Sequence, residues 1–364
     1  MIVHVGPSAL RLPARFGGAV ERRMLELAEA QARNGEQVMV YSTASEDGWG
    51  EHRGVRIRYL SGSGADFALR FVHDAGRRRP RVIHVHNRAE IAWLAKAAGS
   101  GPTLLSCDYH FEPWHSRAAL RGMSKAAWRR CLAACDAIAP VSDYCLRAHT
   151  AYWNLPGSRF RLVPNGVDCA RFRPDERLRA EWRDRLSLDG RFVMLYVGRL
   201  CEQKGTDLLI AAYRRLGPRT ALVAAGPCGR FGRTGVSPLA MQLEAGGRYL
   251  AALDDGDLPG LYNACDLFVM PTRELEMFGM AAVEAQACGR PVAASDHGGL
   301  RETVPDSAGV RFRVGDAADL AARVAALQDA PGRLRTLAAG ARENALRFDW
   351  PRVAQRCEEV YAAL

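Results

Sequence analysis

The chain has 364 residues, 48% of them hydrophobic and 25% charged. That composition is typical of globular proteins and leaves room for two domains of ordinary size. No apolar run approaches the roughly 18 residues that span a bilayer, and the opening MIVHVGPSAL lacks the basic start and long apolar stretch of a secretion signal. The formal net charge is +10, but no interleaving of aromatic and basic residues accompanies it, so nucleic acid is not expected as a partner.

Ile2 to Val5 reads as a first buried strand, followed by a loop from Gly6 to Gly18 and a helix from about Ala19 to Arg33. Val20, Met24, Leu27 and Ala28 fall at helical spacing, and Asn34-Gly35 stops the helix. Gln37 to Ser42 is the next strand, which completes a βαβ opening. The pair Gly17-Gly18 lets backbone approach a ligand at a helix start, where the dipole favours a phosphate. It reads equally as a plain tight turn, and it is not GxGxxG, so no dinucleotide fingerprint is present.

Val55 to Tyr59 and Val82 to Val85 are further strands, the second preceded by the basic run Arg77-Arg78-Arg79-Pro80-Arg81. His86 closes that strand and is expected to face a crevice, while His84 on the same face reads as either a site or a core histidine. After strand Thr103–Ser106 comes Cys107-Asp108-Tyr109-His110. Arg117, Arg121, Lys125 and Arg129 recur every four residues, which on a helix makes one cationic stripe. Such a stripe is a solvated face, or a contact for a phosphorylated acceptor or an anionic membrane surface. Ala137 to Ser142 is a strand with a cap, and Arg161 to Val163 a short strand. The turn residues Pro164-Asn165-Gly166 mark a domain boundary, giving domains 1–167 and 168–349.

The second half restarts the alternation with a strand from Phe192 to Val197 and a helix from Gly205 to about Leu216. Strands follow at 221–225 and 249–253, then a short helix at 258–265. Arg199 and Lys204 flank the first loop, and Lys204 is one of only three lysines among 50 basic residues. A compact ammonium in an arginine-rich chain suggests a phosphate partner. Asp266 to Met270 is a buried strand, Phe278 to Ala287 a helix closed by Cys288-Gly289, and Pro291 to Ser295 another strand. Glu276 stands at the loop-to-helix junction and Glu284 about two turns further on. Carboxylates at that spacing suit a hydroxyl-rich ligand at the carboxyl ends of parallel strands, and the amides of Phe278, Gly279 and Met280 add donors. Helices at 317–329, 331–348 and 351–364 end the chain. The ten cysteines show no CxxC pair and no ligand spacing, so a metal is not expected and free thiols in a reducing cytoplasm are.

The positions Glu276-x-Phe278-Gly279, Glu284-Ala285, Gly289-x-Pro291-Val292, Gly298-Gly299 and Glu302, together with Gly198-Arg199-x4-Lys204-Gly205, resemble the signature of retaining GT-B glycosyltransferases, family 4, the glycosyl transferases group 1. The resemblance covers nearly the whole chain and is strongest from 195 to 302. It implies an α/β fold of two Rossmann-like parallel-sheet domains facing a cleft, with the helix 350–364 packed back on the first. It implies transfer of a sugar, with retention, from a nucleoside-diphosphate sugar to an acceptor hydroxyl. A UDP-linked donor is preferred, and neither metal nor cofactor is required. Arg199, Lys204 and the Gly17-Gly18 amides would bind the diphosphate, Glu284 the ribose, and Glu276 with Phe278, Gly279 and Met280 the sugar. His86, Arg88, Asp108 and His110 fall on the acceptor side, with His110 a candidate catalytic residue. Two positions depart from the family: Arg81 stands where an acid is common, and Cys107 where a His is common.

Residues 1–167 carry 23 Lys and Arg against 14 Asp and Glu, so nearly all of the positive excess is in the first half. An anionic or membrane-associated acceptor is compatible with that asymmetry, and the expected location is cytoplasmic, with peripheral contact at the inner membrane face left open. A nucleotide-sugar epimerase on the same fold and a non-catalytic nucleotide-sugar binder are the alternatives.

Overall fold

The computed structural model describes the chain except for residues 8–9, 14–18, 108–123, 189, 229–241, 244–246 and 252. Two compact units form, one from residues 1–166 with 350–364 and one from 167–349. Among the described residues no helix is long and apolar enough to cross a membrane.

Unit 1 is built on seven strands: β1 (Ile2–Val5), β2 (Val38–Ala44), β3 (Gly48–His52), β4 (Val55–Ser61), β5 (Val82–His86), β6 (Thr103–Cys107) and β7 (Ala137–Pro140). Their order is β3-β4-β2-β1-β5-β6-β7, and every described pairing is parallel except β3 with β4. Strand residues alternate between two apolar layers. Val3, Val5, Ile83 and Val85 pack with Phe67 and Phe71 of α2 (Gly64–Arg78) and with Ile91 of α3 (Ala89–Ala97). Ile2 and Val82 pack on the other face with Leu27 of α1 (Ala19–Arg33) and with Trp350, Val353 and Cys357 of the C-terminal helix (Trp350–Ala362).

Two sequence expectations change here. β3 was not anticipated from the sequence. It is an edge strand of alternating half-buried and exposed residues, turned onto β4 through Arg53 and Gly54, both at positive φ. Arg161–Val163 is not a strand. Its amides bond the β7 carbonyls of Ile138 and Pro140, and β7 itself ends at Pro140.

Unit 2 carries β8 (Phe192–Val197), β9 (Thr220–Ala225), β10 (Arg248–Leu250), β11 (Leu267–Met270), β12 (Val292–Ser295) and β13 (Gly309–Phe312). The order is β10-β9-β8-β11-β12-β13, all parallel. From β8 the chain winds outward one way and from β11 the other, so the gap between their carboxyl ends is the topological switch point, where such sheets bind ligands. The short β13 and the one-turn helix Leu300–Thr303 were not anticipated; four residues are too few to show a period.

Candidate functional site

The loops leaving β8 and β11 carry the cations and carboxylates that the sequence singled out. After β8 come Gly198, Arg199 and the turn Glu202–Lys204 that leads into α4 (Thr206–Tyr213). After β11 comes the loop 271–279, then α5 (Met280–Ala287), whose N-cap is Gly279. The two loops are bolted together. The amides of Arg273 and Glu274 donate to the Gln203 carbonyl at 2.9 and 3.2 Å. The Arg273 guanidinium donates to Asp207 at 2.6 Å. Gly205 is required at the crossing, because a Cβ there would stand 1.8 Å from the Pro271 carbonyl oxygen.

A third loop, after β12, supports the second from beneath. Gly299 N–H donates to the Glu276 carbonyl at 2.7 Å, and a Cβ on Gly298 would meet that same oxygen at 2.6 Å. The Thr303 hydroxyl donates to the Phe278 carbonyl at 2.8 Å. His297 Nε2 lies 3.0 Å from the Thr272 carbonyl, so that nitrogen carries the proton. Burial lowers the His297 pKa, which keeps the ring neutral. His297 was not singled out from the sequence, although a histidine directly before a Gly-Gly pair was a readable signal.

Within this frame Lys204 Nζ donates to Glu276 Oε2 at 2.8 Å, and both side chains are about one-fifth exposed. Burial works to lower the Lys204 pKa, but the Glu276 carboxylate and its hydrogen bond outweigh it and hold the ammonium above its ordinary value. Arg199 stands close enough to oppose that rise, and its carbonyl accepts the Tyr196 hydroxyl at 2.7 Å. Glu284 on α5 is buried and accepts the Tyr262 hydroxyl at 2.7 Å. Phe278 is buried edge-on against Phe348 with ring centroids 5.2 Å apart. Lys204, Glu276 and Arg199 thus come together at the switch point, with Glu284 on the helix that the same loop opens.

In unit 1 the sequence-derived residues divide differently. Gly17, Gly18, Asp108 and His110 lie outside the described residues. Arg88 is buried and ion-paired with Glu90. His86, expected to face a crevice, is instead fully buried, and so are His84 and His4. The reason is the strand register. His4 and His84 are direct partners across β1 and β5, and the period of two puts His86 on the same face, beneath α1.

The three rings offer nitrogens within 4.8 Å of one another, a spacing that invites a metal reading. Their donors and acceptors instead form one continuous hydrogen-bonded chain. Arg23 donates to His86 Nδ1 at 3.4 Å. His86 Nε2 then donates to His4 Nδ1 at 3.0 Å, and His4 Nε2 to Gln31 Oε1 at 2.7 Å. Gln31 Nε2 donates to the Tyr361 hydroxyl at 3.1 Å. That hydroxyl is hydrogen-bonded to His84 Nδ1, and His84 Nε2 to Ser106 Oγ, both at 2.6 Å. Every ring nitrogen is used, every histidine is neutral, and the guanidinium at one end opposes a further buried cation. The chain ties the C-terminal helix to the sheet.

Comparison with known proteins agrees with this architecture. Residues 16–171 match the family model described as Glycosyltransferase Family 4, and residues 179–344 match Glycosyl transferases group 1. Anabaena HepE, crystallised with UDP, has the same fold at a TM-score of 0.83 and 20% identity, with all of both chains covered. The fold is therefore GT-B. The chain belongs to the group 1 glycosyltransferases.

Among curated relatives, a D-inositol 3-phosphate glycosyltransferase of Salinispora arenicola is 40% identical over 222 residues, 56% of this chain and 49% of the relative. One of the same name from Rhodococcus erythropolis is 28% identical over 99% of this chain and 89% of its own length. The chain spans about half the length of the first curated relatives it matches.

Proposed function

We propose that the protein is a retaining glycosyltransferase that moves a sugar from a nucleoside diphosphate, UDP for preference, to the hydroxyl of a phosphorylated acceptor. The observation that carries this reading is the meeting of Lys204, Arg199 and Glu276 on two interlocked loops at the switch point of unit 2. As the glycosidic bond to the diphosphate breaks, negative charge builds on the leaving oxygens. A fixed ammonium and guanidinium favour that state over the ground state. Glu276 both keeps Lys204 charged and, as an acceptor, orients sugar hydroxyls. Glu284 takes the ribose diol, and the amides of Phe278, Gly279 and Met280 complete the sugar site. Gly17 and Gly18 would add amide donors to the diphosphate.

Three observations support the donor and acceptor classes. HepE was crystallised with UDP and with UDP-glucose. Relatives are named D-inositol 3-phosphate glycosyltransferase and GDP-mannose-dependent alpha-(1-6)-phosphatidylinositol monomannoside mannosyltransferase. The positive excess sits in residues 1–167.

The test is a panel of UDP- and GDP-sugars against phosphorylated and unphosphorylated polyols, read as nucleoside-diphosphate release, with NMR assignment of the product's anomeric centre. Lys204→Ala and Glu276→Ala should each lose roughly 100-fold, the worth of one preorganised donor at a developing oxyanion. Rates unchanged in both variants refute the site. An epimerised donor, or no turnover with any pair, refutes the transferase reading.

A further inference from the structure

We propose that Tyr262 is a positioning residue, which sets the Glu284 carboxylate for the donor's ribose. This rests on the ribose role given to Glu284 above. The helix Leu258–Ala264 places Tyr262 wholly inside unit 2, and its hydroxyl donates to Glu284 Oε2 at 2.7 Å. Its ring is held edge-on by Phe172 at 5.8 Å and by Phe268 of β11 at 5.7 Å. The ring is therefore packed on two sides, and the strand that leads into the Glu276 loop also packs against the tyrosine bonded to Glu284.

The Lys204 donor to Glu276 and the Tyr262 donor to Glu284 differ in charge. Glu276 is compensated by an ammonium at 2.8 Å. The Tyr262 bond to Glu284 comes from a neutral donor. A hydrogen bond to a buried carboxylate lowers the cost of its charge, and it fixes the carboxylate plane. A neutral donor does this without adding a counter-charge that would weaken the acceptor toward a diol.

The experiment measures binding of UDP and dUDP, and of GDP and dGDP, to the full chain by calorimetry. The better-bound base is then taken through wild type, Tyr262→Phe, Glu284→Gln and the double variant. Phenylalanine keeps the ring packing, and thermal melting confirms that each variant is folded. Tyr262→Phe should weaken ribonucleotide binding about tenfold, as expected for loss of a bond to a charged group. It should also shrink the preference for the ribo over the deoxy ligand, and the double variant should bind no worse than Glu284→Gln alone.

If wild type discriminates against the deoxy ligand and Tyr262→Phe keeps that discrimination, the positioning role is overturned while the ribose role stands. If wild type shows no discrimination, or Glu284→Gln leaves it intact, the ribose role falls and takes this one with it. If neither diphosphate binds, the nucleotide-sugar reading itself fails. Should Tyr262→Phe not fold, the ribo/deoxy ratio of Tyr262→Leu, which also lacks a donor, decides instead: an unchanged ratio overturns the proposal.

Discussion

Mild acid should loosen unit 1 through its buried histidine chain. Burial lowers the His4 pKa from 6.5 to about 4, against the hydrogen bond to Gln31 that works to raise it. Burial first, and then neighbouring histidines and Arg23, hold His84 and His86 well below the ordinary value. For a folded-state pKa that is depressed, the unfolded chain takes up the proton first. The stability of the neutral group is complete above pH 6.5 and is lost as pH falls toward about 4. Between pH 7 and pH 5 linkage assigns about 2 kcal/mol to His4 alone, a sizeable part of the roughly 5–15 kcal/mol that a domain has.

Glu21 and Glu358, raised mainly by burial, act in the opposite sense. A comparison with His4→Gln, which bonds without titrating, cancels them. Hydrogen exchange of unit 1 peptides at pH 7, 6 and 5, corrected for intrinsic rates, reports the opening free energy. Wild type should lose about 2 kcal/mol more than His4→Gln across that range. Equal losses in the two proteins would show that His4 accepts a proton at no structural cost, and the continuous chain would be wrong.

Tyr361→Phe should cost unit 1 about 1–3 kcal/mol at pH 7, because Gln31 and His84 both lose a partner; chemical denaturation measures it. Gly205→Ala should lower the thermal midpoint of unit 2 by several degrees or more and abolish transfer, since φ +70° and the Pro271 carbonyl both exclude a methyl. Asp207→Asn should change global stability by less than about 1 kcal/mol, because the Arg273 pair is more than one-third exposed. It should still lower kcat/KM by loosening the two loops, and steady-state kinetics beside a melt separate the effects. Arg88→Met should leave diphosphate binding in calorimetry unchanged, since the Arg88 side chain is buried and ion-paired with Glu90.

Local chemistry alone made much of unit 2 legible. Apolar runs bounded by Gly and Pro set the strands near 192–197 and 267–270, and the spacings of Arg199 with Lys204 and of Glu276 with Glu284 singled out the candidate charged residues of the loops that follow them. Unit 1 was less readable at its strand ends. A histidine closing a strand looks the same whether its face is open or covered, so His86 read as a site residue, and His4 was not noticed at all. Only the parallel register of β1 against β5, with α1 and the C-terminal helix laid over that face, decided that these rings are core. Tyr262 and His297 went unread for a related reason: each acts through a partner 22 or 25 residues away. Residue type and spacing specify which groups carry charge and which segments are extended or helical. Which of those groups touch is settled by long-range packing, because burial and hydrogen-bond partners belong to the folded chain and not to any short stretch of it.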